Sequence, residues 1–174
     1  PENYWIGLYV GPLGFISNDK RLAELGLQPP KSWADLLKPE YKGLIRMGNP
    51  TVTGTAYNIL TTIRYVFKGD EDKAFDYMKK LDANIDQYTK SGAAGGKSVA
   101  IGEIPIAIGY AHDMVKLKVE GAPVSINIPS EGTGYDEEIV GRVNQQVGGG
   151  TGWLTTSAPV TPGETFTLQF FIFD

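Results

Sequence analysis

The sequence predicts an α/β fold, a mainly parallel sheet flanked by helices, with a C-terminal β-strand segment behind it. Three observations carry this reading. Short apolar runs of strand length alternate with helix-period patterns from the start of the chain to about residue 130. The links between them are short and built from Gly, Pro, Asn and Asp. After Arg142 the helical pattern stops, and a Gln- and Gly-rich stretch, Asn144 to Gly152, leads to one strand-like run at Thr165 to Phe173.

Tyr4 to Ser17 is aromatic, β-branched and glycine-bearing, which reads as a strand bent or interrupted near Gly11-Pro12, because proline cannot donate to a ladder. Asn18-Asp19 starts a short helix through Leu25, ended by Gly26, and Pro29-Pro30 fixes an extended link. Ser32 to Asp35 has capping-box spacing ahead of a short helix to Leu37, stopped by Pro39. Leu44 to Met47 is a short buried strand. The small, polar loop Gly48 to Thr55 then opens a helix to Phe67, with Ile59, Leu60, Ile63, Val66 and Phe67 at helical spacing. Asp70 caps the next helix, whose apolar stripe is Ala74, Tyr77, Met78 and Leu81. Ile85 to Tyr88 reads as a strand, Ser91 to Gly96 as a loop and Lys97 to Ile101 as a short helix. Ile104 to Tyr110 is a buried strand, Met114 to Glu120 a helix opened by His112-Asp113, and Val124 to Ile128 another strand. In the tail, Phe166, Leu168, Phe170 and Ile172 form an alternating apolar set with Thr165, Thr167 and Gln169 between, an alternation that Phe171 and Phe173 break, and residues 151–174 carry only Glu164 and Asp174 as charges. The chain is thus expected to comprise 1–142 as one unit and 143–174 as a link and tail of different origin.

Composition narrows the function. The 174 residues suit one domain of ordinary size or two small units. A formal net charge of −4 argues against a nucleic-acid partner, which favours a basic excess. Zero cysteines remove thiol catalysis, zinc-thiolate sites and disulfides, and a single histidine, His112, removes a His-rich metal site. No apolar run approaches the 18 residues that a membrane-spanning helix needs. No signal peptide is evident and the first residue is Pro1, so the chain is expected to be a processed or excised piece.

Four segments invite a ligand. Ser91 to Ser98 approaches the phosphate-cradling G-x-x-x-x-G-K-[ST] pattern, but Ser91 stands where its first glycine belongs, and no later strand supplies a clear Walker B acid. A glycine-rich turn into a helix is the plainer reading, with free amides for an anion. Thr51 to Ala56 is the better anion site: it follows a strand and opens a long helix, Thr53 and Thr55 offer hydroxyls, and Gly54 lets a ligand approach the backbone. The plainer reading makes Thr53 only an N-cap. His112-Asp113 follows a buried strand, where it could hydrogen-bond ligand hydroxyls or simply begin a solvated helix. Glu131 to Tyr135 follows the next strand. The last three lie at carboxyl ends of strands, which in open α/β sheets share one edge.

Taken in order, YVGPLGFISN, KSWADLLKPEYKG, NPTVTGTAYN, YTKSGAAGGKSVAIGE, IAIGYAHD and IPSEGTGYDEEIVG resemble the periplasmic solute-binding proteins of ABC importers. The branch is that of ferric-iron, sugar-phosphate and phosphonate binders, and the likeness runs from about Tyr4 to Gly141. It implies one lobe of a two-lobed, hinge-joined protein that is not an enzyme, carries no cofactor and works in the periplasm or outside the cell. The opening strand would be a hinge strand, and the other lobe would lie outside this sequence, leaving half a cleft and weak affinity. The resemblance implies ligand contacts at Thr53, Gly54 and Thr55, at Ser91 and Gly92, and at His112, Asp113 and Glu131. It implies a small-molecule anion and an ABC permease as partners. Ferric-binding relatives use neighbouring tyrosines, and no Tyr-Tyr pair occurs here, so a sugar phosphate or phosphonate is preferred to iron, with no metal ligands assigned. Alternatives are a recombined chain that folds with little binding, a ferric-iron binder, and a homodimer that swaps the tail strand.

Overall fold

A computed structural model of the protein describes residues 7–140, with side chains described over 11–134. The chain divides into two compact units, Pro1–Gly141 and Arg142–Asp174. The strand expected at Thr165–Phe173, the tail module at 143–174 and the swapped dimer built on it lie outside the described residues.

The longest strand, β1 (Gly7–Asn18), organises the sheet. Its first half, Gly7 to Pro12, pairs with β6 (Tyr135–Val140). Its second half pairs with β4 (Ile106–Tyr110) on one side and β5 (Val124–Asn127) on the other. All three pairings are antiparallel. On the far side of β4, β2 (Ile45–Gly48) runs parallel to both β4 and β3 (Ile85–Thr89). The main path is β3-β2-β4-β1-β5. Among the described residues every strand but β1 therefore points the same way, which gives the mainly parallel sheet with one reversed member. The expected interruption of β1 at Gly11-Pro12 does not occur. Instead the pairing passes from β6 to β4 between Pro12 and Leu13.

Helices cover both faces. On one face α2 (Gly54–Val66), α3 (Glu71–Asp82) and a 3-10 turn (Ala34–Leu37) bury Ile59, Ile63, Tyr77, Leu81 and Trp33 against Leu13, Phe15, Ile45, Met47, Ile108 and Tyr110. On the other, Val99 of α4 (Ala94–Ala100) and Met114 of α5 (Ala111–Val119) pack on Ile16, Ala107 and Val124. A six-residue helix α1 (Asp19–Glu24) is capped by Asn18, whose side chain accepts from the Arg21 amide. Asp70 caps α3 in the same way through the Lys73 amide, and acids in the first turn and lysines in the last suit the helix dipole.

Several boundaries differ from expectation, for physical reasons. The short helix ends at Leu37 before Pro39 as expected, but Pro39 then opens a second 3-10 turn, Pro39–Tyr41, at the position where its missing N–H is harmless. Helix α4 begins three residues early and takes in Gly95 and Gly96. Gly95 faces the sheet so closely that a Cβ there would lie 3.0 Å from the Ala107 Cβ and 3.4 Å from the Arg46 carbonyl oxygen. Its lack of a side chain serves helix-to-sheet approach rather than a turn. Helix α5 begins at Ala111, so His112 and Asp113 sit inside its first turn. Strand β6 was not expected, because the acidic run Asp136-Glu137-Glu138 hides it from any alternation test.

The pair expected as a capping box, Ser32 and Asp35, closes only in part around a 3-10 turn whose N-cap is Trp33, the return bond falling on Lys31 rather than on Ser32. Ser32 Oγ accepts from the Asp35 amide at 3.0 Å, and Asp35 Oδ2 accepts from the Lys31 amide at 2.9 Å. The Lys38 ammonium at 2.7 Å and these hydrogen bonds hold the Asp35 carboxyl at about 2, below its ordinary 3.8. A depressed carboxyl contributes stability above its ordinary value and loses it as pH falls through the folded one. Asp35→Asn is therefore expected to cost about 1 kcal/mol at neutral pH, with the difference from wild type fading as urea melts are repeated toward pH 2.

Candidate functional site at the carboxyl edge of the sheet

Because β2, β3, β4 and β5 point the same way, their last residues, Gly48, Thr89, Tyr110 and Asn127, fall on one edge. The segments that follow them carry all the residues singled out by sequence. Thr53 is the N-cap of α2. Its hydroxyl accepts from the Ala56 amide at 3.2 Å and donates to the Asn49 carbonyl at 3.3 Å. It stands over Gly48, where a Cβ would lie 2.5 Å from the hydroxyl oxygen. Thr53 is thus the N-cap, and the amides left at the helix start are those of Gly54 and Thr55, which have no helical acceptor.

Thr55 reaches across to the β3–α4 loop. Its hydroxyl and methyl lie against the Gly92 backbone, filling the space a side chain would take. That loop is fixed by Thr89, whose hydroxyl donates to the Ser91 carbonyl at 2.7 Å. The Gly92 carbonyl oxygen in turn lies against Gly109, 3.4 Å from where its Cβ would be. From α2, one turn beyond Gly54, Asn58 Nδ2 donates to the Tyr110 hydroxyl at 3.2 Å. Tyr110 stacks on His112, ring centres 5.5 Å apart and planes 14° from parallel. The imidazole also lies on Gly11 of β1, with Nδ1 2.6 Å from the position of an added Cβ. A continuous line of contacts therefore links Gly54 and Thr55, Gly92, Gly109, Tyr110, His112 and Gly11. Asn58, Tyr110 and Gly11 were missed by sequence reasoning. Asn58 had a usable signal, since it lies four residues after Gly54 and on the same side of the helix.

Two acids stand differently. Asp113 is exposed, with Oδ1 3.7 Å from His112 Nε2. Glu131 spends both oxygens on backbone: Oε2 accepts from the Trp33 amide and Oε1 from the Ala34 amide, each at 3.1 Å. Ser130 Oγ also donates to Oε2 at 3.2 Å. The same loop is tied to β1, where Thr133 Oγ1 donates to the Leu13 carbonyl at 2.7 Å and the Leu13 amide donates to the Gly134 carbonyl at 2.9 Å. Glu131 thus caps the 3-10 turn. Among the described residues no three His, Cys, Asp or Glu side chains cluster as metal ligands, and no helix is long and apolar enough to cross a membrane.

Residues 1–135 match the family described as bacterial extracellular solute-binding protein, and the chain belongs to that family. It is a family of extracytoplasmic binding components rather than enzymes. The chain is 44% identical to the periplasmic binding protein AfuA from Actinobacillus pleuropneumoniae, solved with exogenous fructose-6-phosphate bound. That match has a TM-score of 0.71 and covers 76% of this chain and 42% of AfuA. The periplasmic binding protein P5PA is similar at 38% identity and TM-score 0.69, over 79% of this chain and 44% of that one. An uncharacterized protein of Haemophilus influenzae is 43% identical over 135 residues, 77% of this chain and 38% of its own length. The chain thus spans about two-fifths of the length of these relatives.

Proposed function

We propose that the carboxyl edge holds a small oxygen-rich anion, a sugar phosphate or phosphonate, for delivery to an ABC permease. The observation that carries this reading is the joining of the α2 start to the β3–α4 loop through Thr55 and Gly92. Two amides with no helical acceptor, a hydroxyl and a side-chain-free loop converge there, at the positive end of a 13-residue helix. The fructose-6-phosphate bound to AfuA, at 44% identity, supports a phosphosugar over a bare metal ion. In this reading Ser91 adds a hydroxyl, while His112 and Asp113 meet the neutral hydroxyl end of the ligand, where a carboxylate accepts rather than repels. Glu131 acts at the edge of the site by holding Trp33 and Ala34.

Calorimetry on the whole chain, taken to millimolar ligand, is the test. A hexose phosphate and an alkylphosphonate should release heat, and Fe(III) should not. Thr53→Ala combined with Thr55→Ala removes the cap and the bridge to Gly92, and is expected to weaken the sugar phosphate about tenfold, the equivalent of roughly one hydrogen bond. Lys97→Ala should stay within about twofold, since Lys97 sits within α4 rather than at a helix start. Tight Fe(III) binding with no sugar-phosphate heat would replace this reading by the ferric one.

A further inference from the structure

We propose that Gly11 and Tyr110 form a slot that positions the imidazole of His112 at the carboxyl edge, so that the strand entering the unit helps set the geometry of the ligand site. The inference rests on the anion-binding reading above and adds two positioning residues to it. His112 leaves β4 only two residues after Tyr110, and its ring lies nearly parallel to the phenol. Its Nδ1–Cε1 edge lies against Gly11 of β1, backbone without a side chain. A Cβ on Gly11 would fall 2.6 Å from Nδ1 and 2.7 Å from Cε1, with Tyr110 Cδ1 at 3.7 Å, so the imidazole occupies the volume that any other residue at 11 would fill. Real Cβ contacts do not come that close, so a side chain at 11 would have to displace the ring that stacks on Tyr110.

Both walls of the slot are themselves held. Tyr110 is buried, and its hydroxyl takes a hydrogen bond from Asn58 on α2, the helix whose start forms the anion site. Gly11 pairs with Asp136 of β6, one residue before the point where β1 changes partners from β6 to β4. The slot therefore gathers α2, β4 and the two-stranded extension β1–β6 onto a single side chain. Movement of that extension relative to the main sheet would open or close the slot and turn the imidazole with it. The His112 side chain is 43% exposed.

His112 is the chain's only histidine, so its two ring protons are a unique reporter by proton NMR. In the wild-type chain these resonances should sit upfield of free imidazole, shifted by the Tyr110 ring current. Gly11→Ala should return them toward the free value and weaken sugar-phosphate binding about tenfold. Tyr110→Leu, which adds no bulk to β1, should do the same and keeps the test open if Gly11→Ala fails to fold. Tyr110→Phe keeps the ring and should keep the upfield shift. Unshifted resonances in the wild type would overturn the slot. Lost shift with unchanged affinity in both variants would overturn its role in binding while leaving the anion site standing. Absence of sugar-phosphate binding by the wild-type chain would overturn the site reading, and the positioning role with it.

Discussion

Arg46→Met is expected to destabilise the protein by about 3 kcal/mol, because it strands the partners of a buried cation. Arg46 lies on β2 with its side chain only 9% exposed. Its Nε and Nη2 donate to the two oxygens of Asp86 on β3 at 3.2 and 2.6 Å. Its Nη1 donates to Ser98 of α4 at 2.9 Å and to Glu103 at 2.7 Å. Asp86 above all raises the guanidinium's pKa, against the opposing effect of burial, and Arg46 in turn holds Glu103 below the usual carboxylate range. Asp86 and Glu103 are 22% and 52% exposed, so both can rehydrate once Arg46 is gone, which keeps the loss toward the lower end for a buried pair. In a double-mutant cycle with Asp86→Asn, the combined loss should fall short of the sum by about 1–2 kcal/mol. Additive losses in urea denaturation would mean that the two side chains do not act as a pair. Since Arg46 ties Ser98 of α4 to the sheet, the same variant should also loosen that helix.

Trp33→Ala is expected to cost about 4 kcal/mol, the scale of emptying a large aromatic site in a packed core. Trp33 is 1% exposed and meets Phe15 edge-on with ring centres 5.0 Å apart. Its indole N–H donates to the Gly132 carbonyl at 2.9 Å, its own carbonyl accepts from the Tyr77 hydroxyl at 2.6 Å, and its amide is held by Glu131. It therefore joins the loop after β5 to the core. Trp33→Phe keeps most of the volume and loses the indole donor, so equilibrium unfolding should show about 1–2 kcal/mol. Equal losses for the two variants would locate the effect in the hydrogen bond rather than the packing.

Strands β2 and β4, helices α2 and α3 and their caps were legible because local pattern and tertiary role agree there. Thr53 and Asp70 are N-caps by chemistry and by position, and Ile59, Ile63 and Leu81 are buried where helical spacing puts them. The shared edge was legible for the same reason, since strand direction alone sends Gly54, Gly92 and His112 to one side. What stayed hidden depends on contacts far apart in sequence. The reversal of β1 is set by its partners β4, β5 and β6, not by its own residues. Glycines 95 and 96 read as loop until the sheet beneath Gly95 shows why no side chain fits. Glu131 read as a ligand group because nothing near it in sequence reveals the amides of Trp33 and Ala34, which lie almost a hundred residues earlier.

We propose that an anion sits at the start of α2 against the β3–α4 loop. The most direct test is a titration of the isotopically labelled chain with a hexose phosphate, followed by amide NMR. The amides of Gly54, Thr55 and Gly92 should move first and furthest, saturating together, with the His112 ring following. Saturable shifts confined to other surfaces, or shifts at the α2 start that inorganic chloride reproduces at equal concentration, would contradict it.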